Sequence, residues 1–140
     1  MNTAIQSLFK EANIPLSAID DRRSYINTVR NGISGTAIKA GSKLIDRGLF
    51  IKLLDTSSAN LSRFYDKKNL SRSSSEEVLD TFCMIAEAIR IWDDEATALL
   101  WLNTPIAALA GDKPIDLFDT FNGRQWVLEV MTNIEYGEFN

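Results

Sequence analysis

The side chains that could do chemistry in this 140-residue chain are carboxylates, one thiol and a basic, hydroxyl-rich stretch in the first half. Histidine is absent, which removes the commonest general base, nucleophile activator and metal ligand. Cys83 is the single cysteine, so no intrachain disulfide can form and a structural zinc site is not expected. It lies amid apolar positions, whereas a reactive thiol needs exposure and a positive neighbour; it reads as a core residue. Glu76, Glu77, Asp93, Asp94 and Glu95 could form an acid–base or metal pair. All five fall at predicted helix starts, where carboxylates cap backbone donors and favour the helix dipole. Glycine-rich phosphate loops are missing too. No catalytic set, metal site or cofactor site is expected, and the chain does not read as an enzyme.

The remaining chemistry is that of binding. Residues 1–72 carry 12 Lys+Arg against 6 Asp+Glu, net +6, and residues 73–140 carry 3 against 13, net −10. The overall charge of −4 hides this polarity. A basic half suits phosphates and an acidic half suits a basic protein surface; two halves that attract each other would give the same split. Within the basic half, Ser57, Ser58 and Asn60 can donate to phosphate or base edges. Arg63 can grip guanine or phosphate bidentately, and Lys67, Lys68 and Arg72 can hold a backbone. These six residues, Ser57, Ser58, Asn60, Arg63, Lys67 and Lys68, are the DNA-binding candidates.

Helices must position them. The composition, 45% hydrophobic and 24% charged with seven glycines and three prolines, favours helices over turn-rich β structure. Residues 2–12 place Ile5, Leu8, Phe9 and Ala12 at helical spacing, and 20–31 form a second candidate with Tyr25, Ile26 and Val29 inward. Helices are predicted over about 36–44, 47–54 and 58–66, the last two joined by the Asp55-Thr56-Ser57 turn. That pair has the layout of a helix-turn-helix, which a plain helical bundle can share. Asn69–Ser75 reads as a loop and domain boundary, with Ser73–Glu76 or Ser74–Glu77 as a capping box. The longest helix is predicted over about 75–92, with Val78, Phe82, Ile85, Ile89 and Trp92 in one stripe.

The rest is an apolar block. A helix over about 95–102 follows the Asp93-Asp94 cap, then short turns opened by Pro105 and Pro114. A last helix over about 124–136 carries Trp126, Val127, Val130, Met131 and Ile134 inward. Gly137 ends it and leaves Glu138-Phe139-Asn140 as a tail, in which a phenylalanine either folds back on the core or binds something. No signal peptide or membrane span is visible. With one cysteine the expected compartment is reducing, by default the cytoplasm.

The C-terminal block resembles the Xre/MbcA/ParS antitoxin C-terminal domain. Trp101-Leu102-Asn103-Thr104-Pro105-Ile106-Ala107-Ala108-Leu109 is similar to that family's WL-x-x-P-x-x-A-L segment, and Pro114-Ile115-Asp116-Leu117-Phe118 to its P-x-D-L-L-like segment. Gly123 to Val127 and Tyr136-Gly137-Glu138-Phe139 are similar to its final helix and tail. Upstream, Gly32-Ile33-Ser34 and Asn69-Leu70-Ser71 with Ser75-Glu76-Glu77 resemble the flanks of its Xre-like helix-turn-helix. The family usually has two arginines after the recognition helix, where this chain has Arg63 and then Phe64-Tyr65-Asp66-Lys67-Lys68.

The resemblance implies an all-α fold: an Xre-like helix-turn-helix domain (1–72), a long linking helix and a small antitoxin domain (73–140) that binds toxin and self-associates. It implies a type II antitoxin whose partner is a RES-domain toxin acting on NAD. The C-terminal segment, Glu135, Tyr136, Gly137, Glu138, Phe139 and Asn140, would block the toxin's active site. Operator DNA bound through the helix-turn-helix, and a homodimer or higher oligomer, complete the expected partners. The alternative is a stand-alone helix-turn-helix regulator that dimerises through its C-terminal domain.

Overall fold

A computed structural model describes residues 2–137, and the candidates Glu138, Phe139 and Asn140 lie outside them. The described residues are helical, with no strand among them, which is the expected all-α class. None of their helices is long and apolar enough to cross a membrane. The chain divides into two compact units, Thr3–Cys83 and Met84 onward. The dividing point falls inside the longest helix.

In the first unit, α1 (Thr3–Glu11) buries Ile5, Leu8 and Phe9, the face its spacing predicts. A 3-10 turn at Leu16–Ile19 leads to α2 (Arg22–Asn31), whose N-cap Asp21 accepts a hydrogen bond from the Arg23 N–H. α2 is strongly polar: Val29 is buried, Tyr25 half-buried, and Ile26 points outward, against expectation. α3 (Thr36–Gly41) is shorter than the predicted 36–44, because residues 42–44 continue only as turns. α4 (Arg47–Leu53) starts on the Asp46 cap. Phe9, Phe50 and Phe82 are fully buried, and the Phe82 ring lies 6.2 Å from Phe9 and 6.3 Å from Phe50. Each such burial is worth roughly 1.5–3 kcal/mol, with about 0.5–1.5 kcal/mol more for each aromatic pair.

The segment expected as a helix over 58–66 is only partly one. α5 is Ser62–Tyr65, and residues 58–61 form tight turns. Most of the segment's hydrogen bonds run i to i+3, as from Arg63 N–H to the Asn60 carbonyl and from Phe64 N–H to the Leu61 carbonyl, with one i to i+4 bond from Leu61 N–H to the Ser57 carbonyl. Ser57, Ser58 and Asn60 supply the reason: short polar side chains compete with the helical ladder. Buried Leu61 anchors the segment.

α6 (Arg72–Trp92) starts earlier than predicted. Its cap is Ser71, whose Oγ accepts from the Ser74 N–H, and not the expected Ser73 or Ser74 box. Ser75 is therefore inside the helix and fully buried. Its hydroxyl accepts from the Ile33 N–H at 3.0 Å and faces the Leu70 carbonyl at 3.4 Å. The strip 33–35 is also tied to 67–70 by Gly35 N–H to Lys67 O and Leu70 N–H to Ile33 O. Ser75→Ala is expected to cost about 1–3 kcal/mol, because it strands a buried N–H. Urea denaturation would measure this, and a change below about 0.5 kcal/mol would show that water replaces the hydroxyl.

In the second unit, α7 (Glu95–Leu102) begins where predicted. Asp94 caps it through the Thr97 N–H and hydroxyl, which hold the Asp94 carboxyl below its usual range. Two 3-10 turns follow, Ala107–Leu109 and Pro114–Leu117. α8 (Phe121–Glu135) begins three residues before the predicted start, capped by Thr120. The core holds Ala98, Leu102, Leu109, Phe118, Val127, Val130 and Met131. Trp126, expected inside, is half exposed, because Arg124, Val127 and Met131 occupy the buried face at i, i+3 and i+7.

Candidate functional site

The DNA-binding candidates occupy one short stretch around α5. Ser57 Oγ accepts from the Asn60 N–H at 3.2 Å and so caps the turn before α5. Ser58 is gripped from α4: Arg47 Nη1 donates to its hydroxyl at 2.9 Å and Nη2 to its carbonyl at 3.3 Å. Arg47 was not singled out in the sequence; Arg47 and Ser58 sit eleven residues apart, beyond any helical pairing rule. Asn60 and Arg63 are exposed. Lys67 lies 4.8 Å from the centre of the Phe64 ring, a cation–π contact that holds its ammonium close to the chain. Exposed Lys68 belongs instead to the rim of a cleft along α2. Ser57, Ser58, Asn60 and Arg63 thus share the turn-α5 segment, while Lys67 and Lys68 mark its far end.

Three further groups lie in this unit. The Tyr25 hydroxyl donates to Glu76 at 2.5 Å, and burial, then this bond, hold the phenol protonated well above its ordinary range. Glu76 is thus a tertiary partner and not a helix cap. Burial, then the Asp80 carboxylate, push the half-buried Cys83 thiol up to about 12, so it is a poor nucleophile at neutral pH. No group of three or more metal-ligating side chains gathers among the described residues.

In the second unit, the toxin-binding candidates begin in the last turn of α8. Glu135 accepts from Arg90 Nη2 at 2.5 Å, and the same guanidinium grips Glu87 through Nε and Nη2. This exposed cluster adds little stability, but it fixes the end of α8 against α6. Tyr136 follows at 72% exposure, and Gly137 ends the helix at φ 72°. Apolar side chains are also uncovered on other elements, with Leu100 of α7 at 70% and Phe121 of α8 at 62%. α7 is apolar on nearly every side, so its buried face, Ala98 and Leu102, leaves an apolar outer face. Singly exposed apolar residues are ordinary, whereas contiguous apolar patches mark interaction surfaces.

Arg124 is a second residue missed in the sequence. It is fully buried, and its Nη1 donates to the Phe118 carbonyl at 2.8 Å. Its helical spacing to Val127 and Met131 was the available signal, masked by its charge.

Residues 87–137 match the family model of the antitoxin Xre/MbcA/ParS C-terminal toxin-binding domain. No curated protein matches the chain. The matched segment contains Leu100, Phe121 and Tyr136 together with the core that presents them. Over this segment, within its C-terminal unit, the chain is similar to the toxin-binding domain of the Xre/MbcA/ParS antitoxins.

Proposed function

We propose that the chain neutralises a RES-domain toxin acting on NAD by laying the end of α8 and the residues after it over the toxin's active site. The observation that carries this reading is Tyr136, a large and exposed aromatic at the end of the segment that matches the toxin-binding domain. Burying such a ring is worth a few kcal/mol, and aromatic anchors of this kind dominate interfaces. The acidic balance of residues 73–140 supports it, because a cleft that holds a dinucleotide pyrophosphate is electropositive. On this reading the protein sits in the cytoplasm, self-associates through the exposed side chains of α7 and α8, and represses its own operon through Ser57–Lys68.

Co-expression with the product of the adjacent gene tests the reading. Tyr136→Ala and removal of Gly137–Asn140 are each expected to weaken toxin binding by about 2 kcal/mol or more, roughly 30-fold. Neither should change the melting temperature of the free protein, since Tyr136 and Gly137 are exposed. Unchanged neutralisation by both variants, or an adjacent gene that encodes no such toxin, would favour the stand-alone regulator.

A further inference from the structure

A cleft of about 510 Å³ opens in the first unit between α2 and the strips 32–34 and 68–69. Binding sites for small organic ligands are mostly apolar; this cleft is not. Its hydroxyls are engaged within the fold: Ser24 with Ser17 at 2.7 Å, Thr28 with the Ser24 carbonyl, and Ser34 with Thr36. Asp21, the single carboxylate of the lining, is held as the cap of α2. The groups left for a ligand are the cations Arg23 and Lys68 and the carboxamides Asn13, Asn27, Asn31 and Asn69. Among the described residues none of these six side chains has an ion-pair or hydrogen-bond partner. Two cations and a row of amide donors fit an extended anion with many acceptor oxygens.

The cleft also has a direction. Arg23, Asn27 and Asn31 repeat every four residues along one face of a helix about 15 Å long, and exposed Arg22 and Arg30 add charge to the same helix. Lys68 joins the cleft to the segment 57–68. We propose that this face of α2 binds the phosphodiester backbone of DNA beside the stretch contacted by Ser57–Lys68. The N-terminal segment, outside the region that resembles the antitoxin family, thereby lengthens the DNA footprint. The proposal rests on the DNA-binding reading given under Proposed function.

Fluorescence anisotropy tests it, with the full chain, a duplex of about 40 bp from upstream of its own gene (some four helical turns) and a salt series. Arg23→Gln combined with Asn27→Ala should bind about 5- to 10-fold more weakly near 0.1 M salt. The slope of log K against log[salt] should fall by about 0.9 for the lost phosphate contact. Arg23→Lys should restore that slope, which a mere folding defect would not allow. Lys10→Gln removes the same charge from the exposed face of α1, outside the cleft lining. It should leave the slope unchanged. If Arg23→Gln/Asn27→Ala matches wild type while Arg63→Gln binds more weakly, the cleft is not a DNA contact and the DNA reading stands. If the wild-type chain does not bind the duplex at all, both fall.

Discussion

Gly123→Ala is expected to destabilise the C-terminal unit by about 3 kcal/mol or more, despite placing a better helix former in the first turn of α8. In an open helix that substitution gains roughly 1 kcal/mol. Here the new Cβ would lie 2.0 Å from the Leu117 carbonyl oxygen and 3.0 Å from both the Leu117 carbonyl carbon and Thr120 Oγ1. The obstacle is backbone, fixed from two sides. The Gly123 N–H donates to Thr120 Oγ1 at 2.9 Å, and buried Arg124 holds the next carbonyl, that of Phe118. The turn 114–117 cannot move away without losing the packing of Phe118. Overpacking of this kind costs about 1–3 kcal/mol even where side chains can yield, so a clash with backbone falls in the upper tail of single substitutions. Gly48→Ala is the matched control, since its new Cβ would come no closer than 3.3 Å, to the Asp46 carboxylate. It should change stability by less than about 1 kcal/mol. Urea denaturation reads both, and toxin co-purification should fail for Gly123→Ala alone. A Gly123→Ala protein as stable as wild type would mean that α8 does not approach the turn as described.

The C-terminal unit was legible in the sequence to an unusual degree for physical reasons that can be named. Prolines and capping residues punctuate it, so α7 could be bounded by Asp94 and Leu102. Its buried residues Val127, Val130 and Met131 keep helical spacing. Spacing misled only where charge and burial part company. Arg124 takes the inner place that Trp126 was expected to hold, and Ile26 faces outward on a helix too polar to define a face. The first unit was less legible, because its decisive contacts join residues far apart in sequence. Ser75 with Ile33, Tyr25 with Glu76 and Arg47 with Ser58 are separated by 42, 51 and 11 residues. Nothing local announces a serine as buried or a tyrosine as a partner for a particular glutamate. The cleft along α2 was hidden for the same reason: its walls come from residues 21–34 and 68–69, and only folding brings Arg23 and Lys68 to one opening.

Gly35→Ala should do to the DNA-binding candidates what Gly123→Ala does to the C-terminal unit. Gly35 has φ −59° and ψ −20°, a conformation open to any residue, so space alone requires glycine. An added Cβ would lie 1.8 Å from the Phe64 carbonyl oxygen, 2.9 Å from its carbon and 3.0 Å from the Tyr65 carbonyl oxygen. The end of α5 thus rests directly on the backbone of residue 35, and the Gly35 N–H donates to the Lys67 carbonyl at 2.8 Å. To admit a methyl group, α5 must withdraw, which breaks that bond, displaces Arg63 and loosens buried Leu61. We expect a loss of about 3 kcal/mol or more on the same grounds of backbone overlap and, on the proposed DNA-binding reading, loss of specific operator binding at any salt. The response to salt separates this from a lost charge. Removing one lysine lowers affinity through counterion release, which lower salt recovers, whereas a displaced α5 leaves only sequence-independent attraction to the basic half. Specific binding that returned in full at low salt would show that α5 keeps its place and that its contact with Gly35 is dispensable.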